Sequence, residues 1–174
     1  MPDLTAAQLL DALRPAADHG YGGPLSVLEH SIQVAMLAME DQAPAPVVVA
    51  ALFHDVGRLP GIGSPDSHAD DGANWLAKHF GPAVSEPVRM HVRAQRYLCA
   101  AEDGYFDGLH PLLQRMVTAA GGALSETEAE RFIALDHATE AAYLRRWDDR
   151  AHTPAGELPP LELFLEVIEE ALQP

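Results

Sequence analysis

Apolar positions recur along this chain at helical spacing nearly throughout, and the periodic runs break at glycine and proline. LTAAQLLDALR, residues 4–14, reads as a short amphipathic helix and is followed by a Gly/Pro-rich loop, HGYGGP. Ser26 then opens SVLEHSIQVAMLAME, with Glu29 three residues on, the spacing of a capping box. PVVVAALFHDVG, residues 46–57, is apolar on every face, with Pro46 near its start and Gly57 near its end. Its valines would suit a strand, but its length and Ala-Ala-Leu-Phe continuation predict a buried helix.

After the polar loop GIGSPDS, HADDGANWLAKHF reads as a helix stopped at Gly81. Ser85-Glu86-Pro87 reads as the start of the next, VRMHVRAQRYLCAAE. LHPLLQRMVTAA ends at Gly121-Gly122, a second capping box follows at Ser125 and Glu128, and HATEAAYLRRWDDRAH is another helix. Residues 151–160, AHTPAGELPP, read as a linker before a last amphipathic helix over 161–172. No strand pair, repeat or low-complexity tract stands out. The pattern predicts an all-α protein.

Composition narrows the function classes. Apolar residues make up 48% of 174, enough for one domain with a real core. Acids outnumber bases 26 to 11, a formal charge of −15. Such a surface repels nucleic acid and anionic membranes, so neither is expected as a partner. An anionic substrate would need metal ions or a few placed arginines to draw it in. One cysteine, Cys99, permits neither a disulfide framework nor a thiolate metal site. MPDLTAAQLL lacks the pattern of a signal peptide and no apolar run reaches spanning length, so the chain is expected to be cytoplasmic.

The chemistry shows in FHDVGRLPG, where His54, Asp55 and Arg58 interrupt an apolar run. Buried charges need partners or a metal. Of nine histidines, His30, His54, His68 and His91, with His110 at a helix edge, sit where helix geometry can aim them inward. Any one alone is more often a satisfied core histidine, but several imidazoles with an adjacent carboxylate suggest a shared site. A nitrogen- and oxygen-rich, sulfur-free set suits iron, manganese or zinc. His19, His79, His137 and His152 read as surface residues.

The order His30, His54-Asp55, Asp148 resembles the H…HD…D signature of the HD-domain superfamily, over roughly residues 20–150 of a single HD-like helical bundle. LEH at 28–30, HADDGANWL at 68–76, EPVRMHVRAQRYLCA at 86–100 and LRRWDD at 144–149 resemble the superfamily's mixed-valent diiron oxygenases. That branch includes phosphonate-degrading dioxygenases and, more distantly, myo-inositol oxygenase. The resemblance implies a dinuclear Fe(II)/Fe(III) centre. His30, His54 and Asp148 would hold one iron, His68 and His91 the other, and Asp55 would bridge them. It also implies dioxygen as co-substrate and a small anionic hydroxylated substrate, with C–P bond cleavage in the phosphonate members. Asp149, beside Asp148, is a candidate for tuning the irons.

The substrate residues depart from the relatives. YGGPLS is one residue shorter than their Y-x-G-E pattern and lacks its glutamate, the acid that would meet a substrate ammonium. Tyr21 matches their gating tyrosine. Gln95 stands where they carry a lysine, Ala120 where they carry a glutamine, and Arg58 where many carry a histidine. His54 and Arg58 are four residues apart, as are His91 and Gln95, so each pair would share a helix face if the first helix runs through Gly57. Arg58 would then clamp a phosphonate or carboxylate, or else cap its own helix. Arg89, Arg93, Arg96, Arg145 and Arg146 read as structural or surface pairs, Arg96 being the reserve anion anchor. The competing activity is metal-dependent phosphoester hydrolysis with manganese or zinc, common among HD proteins. A third reading is a non-catalytic relative that keeps the site for stability or sensing.

Overall fold

The computed structural model describes residues 4–20, 23–154 and 156–173. Among these there is no strand, only an isolated bridge between Gly20 and Ser26. Ten α-helices follow one another: α1 Ala6–Leu13, α2 Val27–Glu40, α3 Ala45–Phe53, α4 His68–Leu76, α5 Pro82–Ala101, α6 Tyr105–Gly108, α7 Pro111–Ala119, α8 Glu126–Ile133, α9 Ala138–Arg150 and α10 Leu165–Ala171. No helix of the described residues is long and apolar enough to cross a membrane.

The main core forms around α3. Val47 to Phe53 are all buried, as an all-apolar helix requires, and each such Val, Leu or Phe side chain contributes about 1.5–3 kcal/mol. Around it pack α2, α5, α9 and α10, so the last helix covers the apolar run instead of lying apart. The start of α2 is fixed by the predicted capping box: Ser26 Oγ accepts from Glu29 N, and Ser26 N donates to the Glu29 carboxylate at 2.7 Å. Ser125 and Glu128 do the same for α8.

Several boundaries differ from the sequence reading. The fourth helix ends at Leu76 instead of running to Gly81, and the last opens as a 3-10 turn over Leu161–Phe164 before α10. The fifth helix starts at Pro82 with Gly81 as its cap, and runs on through Pro87. Proline at the first helical position suits a group that lacks an amide hydrogen. The third helix does not continue to Gly57. It ends at Phe53, and the chain makes a 3-10 turn over Val56–Arg58. The reason lies in packing. A Cβ at Gly57 would lie 2.0 Å from the His68 carbonyl oxygen and 2.7 Å from Gly72 N. The backbones of this turn and of α4 are in direct contact, and glycine permits it.

Candidate metal centre

Five helices deliver side chains to one buried point. His30 lies one turn into α2, His54 caps the end of α3 with Asp55 beside it, His68 opens α4, His91 lies midway along α5, and Asp148 sits in the last turn of α9. His30, His54, Asp55, His91 and Asp148 are at most 1% exposed and His68 is 9% exposed. Ligand atoms of His30, His54 and Asp55 lie within 4.8 Å of one another, and so do those of Asp55, His68 and His91. Asp55 belongs to both sets. Asp148 joins the first: its Oδ1 is 3.0 Å from His30 Nε2 and 3.7 Å from His54 Nε2.

The rings are oriented by backbone carbonyls. The Nδ1 of His30 meets Ala151 O at 2.9 Å, that of His54 meets Ala51 O at 2.8 Å, that of His68 meets Pro65 O at 2.8 Å, and that of His91 meets Val88 O at 2.6 Å. A carbonyl only accepts, so each Nδ1 carries the proton and donates it. Each Nε2 is then left to face the centre. These Nε2 atoms converge on one another and on carboxylate oxygens. His68 Nε2 and His91 Nε2 are 3.3 Å apart, and His68 Nε2 is 3.4 Å from Asp55 Oδ1. His54 Nε2 and Asp55 Oδ2 are 3.4 Å apart, and among the described residues neither has a hydrogen-bond partner.

Acceptors packed this closely repel unless positive charge lies among them. Burial holds the His91 pKa down at about 3, with nearby His54 adding to the effect, so protonation of that ring is not the remedy. Burial likewise lowers His68, helped by Arg58. Burial opposes charge on His54 too, but Asp55 outweighs it and raises that pKa. Burial also works against ionised Asp55 and Asp148, yet His54 beside the first and Arg145 beside the second keep both well below the usual carboxylate range. Carboxylates held ionised beside imidazoles, sulfur-free and fixed from behind by hydrogen bonds, are donors that suit divalent first-row cations. The residues fit a two-metal centre, with Asp55 between the two positions.

Around this set lies a polar shell. Arg145, buried on α9, donates to Asp148 Oδ2 at 2.9 Å and to Asp149 Oδ1 at 2.6 Å. Asp149 also accepts from Gln95 Nε2 at 2.8 Å and from the Tyr105 hydroxyl at 2.7 Å. Gln95 therefore shares the α5 face of His91, as its spacing requires, but its amide is engaged by Asp149. Arg58 does not reach the centre along a helix face, because α3 has already ended. The 3-10 turn brings its Nε to 2.7 Å from Asp55 Oδ1 and its Nη2 to 3.5 Å from His68 Nε2. Its side chain, 27% exposed, marks with His68 the side where the centre approaches solvent.

Tyr21 lies outside the described residues. His152 is not a surface residue: it is half-buried and stacks on His30 with ring centroids 5.9 Å apart. His110 stays outside the site, exposed, with Nδ1 accepting from Leu112 N. Arg96 serves the fold, donating to Gly122 O at 2.7 Å. Sequence reasoning missed Tyr105, which sits in an unremarkable turn and acquires its role only through Asp149 on α9.

A helical bundle that gathers H…HD…D at one buried point defines the class. The chain belongs to the HD domain family, whose model matches residues 27–148, from the first residue of α2 to Asp148. Within the family it is similar to phosphonate dioxygenases, as its motifs implied. It is 34% identical over 168 residues to the hydroxymethylphosphonate dioxygenase of Gimesia maris, covering 90% of this chain and 84% of that protein. It is 28% identical over 156 residues to the glycine-betaine-forming 1-hydroxy-2-(trimethylamino)ethylphosphonate dioxygenase of Leisingera caerulea, covering 85% and 80% respectively.

Proposed function

We propose that this chain is an iron-dependent dioxygenase that oxidatively cleaves the C–P bond of a small hydroxylated organophosphonate. The observation that carries the reading is the convergence of the four Nε2 atoms on the shared carboxylate of Asp55. In this reading His30, His54 and Asp148 would hold one iron and His68 and His91 the second, with Asp55 shared between them. A bound Fe(II)/Fe(III) pair supplies the chelation of the substrate hydroxyl and the redox chemistry with dioxygen.

The chain's own residues do the rest. Backbone carbonyls keep the imidazoles aimed, each with its Nδ1 hydrogen-bonded and its Nε2 toward the centre. Arg145 keeps Asp148 ionised and fixes which of its oxygens faces the centre. Burial of the donors excludes bulk water from the oxidised carbon. Arg58, on the solvent side, offers a planar fork that suits a phosphonate. The missing glutamate in YGGPLS removes the partner for a substrate ammonium, which favours an amine-free substrate, as in the Gimesia maris relative's name.

Hydroxymethylphosphonate meets these requirements. Its reaction balances as one phosphonate plus one O2 giving one formate and one phosphate, a four-electron oxidation matched by full reduction of O2. Iron-loaded protein given hydroxymethylphosphonate should consume O2 and release phosphate in equal amounts. Phosphoester hydrolysis with manganese, together with no O2 uptake on any small hydroxyphosphonate, would overturn the reading in favour of a hydrolase.

A further inference from the structure

Arg58 and a cation at the second metal position lay claim to the same two atoms. The arginine Nε takes Asp55 Oδ1 at 2.7 Å, and Nη2 reaches His68 Nε2 at 3.5 Å. Those atoms belong to the Asp55–His68–His91 triad. A metal ion there would take the single lone pair of His68 Nε2 outright and would crowd the arginine at Asp55 Oδ1, where two positive groups repel at contact distance. Arg145 holds Asp148 by Oδ2, while Oδ1 is left facing His30 and His54. The two arginines thus divide the carboxylates differently, one from behind and one from the front.

Their settings differ as well. Arg145's side chain is 9% exposed, fixed between Asp148 and Asp149, whereas Arg58's is 27% exposed on a short 3-10 turn at the solvent side. Of the two, Arg58 is the more exposed. Resting on the dinuclear reading above, we propose that Arg58 is a built-in competitor for the second metal position and becomes the anion anchor when a cation displaces it. Loading the second metal and creating the anion site are then one event. The protein fills stepwise, first position before second, and an anion that captures the released guanidinium strengthens the second step.

The test is metal binding, read without turnover. Chelator-stripped protein is titrated with Mn(II) while free ion is counted by EPR, for wild type and for Arg58→Leu. Wild type should bind two ions in separate steps. In Arg58→Leu the weaker step should tighten by about tenfold or more, while the tighter step moves by less than about threefold. Arg58→Gln, neutral but polar, should repeat this if leucine disturbs the turn. Methylphosphonate, an anion without the chelating hydroxyl, should tighten the second step in wild type and leave it unchanged in Arg58→Leu. A second step that is unaltered or weakened in both variants overturns the competition. Equal tightening of both steps also overturns it, since that is a general effect of charge. Methylphosphonate without effect on wild type overturns the anchor. If wild type and variant alike stop at one ion, the dinuclear reading itself fails; two ions bound with unaltered steps remove only the role of Arg58.

Discussion

Replacing Arg145 by leucine tests the electrostatics of the centre most directly. The substitution keeps most of the apolar volume on α9 and deletes a guanidinium held at 2.9 Å by Asp148 and 2.6 Å by Asp149. Asp149 would keep its bonds from Gln95 and Tyr105, at 2.8 and 2.7 Å. Asp148 Oδ2 would lose the guanidinium that answers its charge, so the loss falls mainly there. Removing one partner of a buried pair costs about 3–5 kcal/mol. In a domain of this size each kcal/mol lowers Tm by about 2–4 °C, which predicts a drop of about 6–20 °C in chelator-treated protein at pH 7.

Two controls give the prediction its direction. With saturating Mn(II), a cation answers the Asp148 charge, so the drop should shrink to less than half. Acid should erase it too. Asp148's carboxyl is held low in the folded protein, so its contribution is present above the unfolded value near 3.9 and fades as pH falls through the lower folded value. The gap between wild type and Arg145→Leu is therefore full at pH 7 and closes below pH 4. Arg14→Leu, which removes an exposed pair with Glu162, should leave Tm unmoved. Scanning calorimetry with and without metal measures all of this. A drop under about 3 °C at pH 7, or the same drop with and without metal, would refute the assignment of Arg145 as the counter-charge of a metal-facing Asp148.

Other substitutions probe other links. Asp55→Ala should lose both metals and activity together, by metal analysis and O2 uptake; a variant retaining two irons would remove the bridge. Gly57→Ala should be among the most damaging single changes, because its methyl would lie 2.0 Å from the His68 carbonyl. Loss of soluble folded protein or a Tm drop beyond 10 °C, on the order of the largest point-mutant effects, is expected. Folding keeps His91 near pKa 3 against an ordinary 6.5, so the unfolded chain binds the extra proton between those values. Metal-free protein should accordingly lose stability as pH falls from 6.5, and His91→Leu should flatten that slope in urea titrations.

Much of the fold was legible because it is local. Ser26 with Glu29 and Ser125 with Glu128 announce helix starts by chemistry within four residues, and both capping boxes form as read. The start of α5 was misread because two signals competed. Ser85-Glu86-Pro87 looks like an opening, but Gly81-Pro82 opens the helix first, and packing carries it through Pro87. The end of α3 was illegible for a deeper reason. Periodicity runs unbroken to Gly57, and only the backbone contact with α4, a neighbour distant in sequence, dictates the turn there. The six candidate ligands stood out as residue types that are costly to bury and ordered like the family's motif. The shell around them did not. Arg145, Tyr105 and His152 gain their parts from where α9 and the segment after it lie against α2 and α5, and no spacing encodes that.

The distribution of charge ties these strands together. A chain of net charge −15 has few cations to spend, yet each carboxylate of the centre receives one, Arg58 for Asp55 and Arg145 for Asp148. Leaving either carboxylate buried alone would cost several kcal/mol, so without metal the arginines hold the bundle together. In the proposed reading, metal would change the balance at the two positions unequally. A cation beside Asp148 would leave Arg145 in place on the other oxygen. On Asp55 a cation and Arg58 would meet on one oxygen, and the more exposed Arg58 would give way. A net charge of −15 would also repel a phosphonate, and in the proposed reading the anchor that overcomes this is Arg58, on the solvent side of the centre. Selectivity for small anions would then come from a charge released on loading, at the site where it is needed.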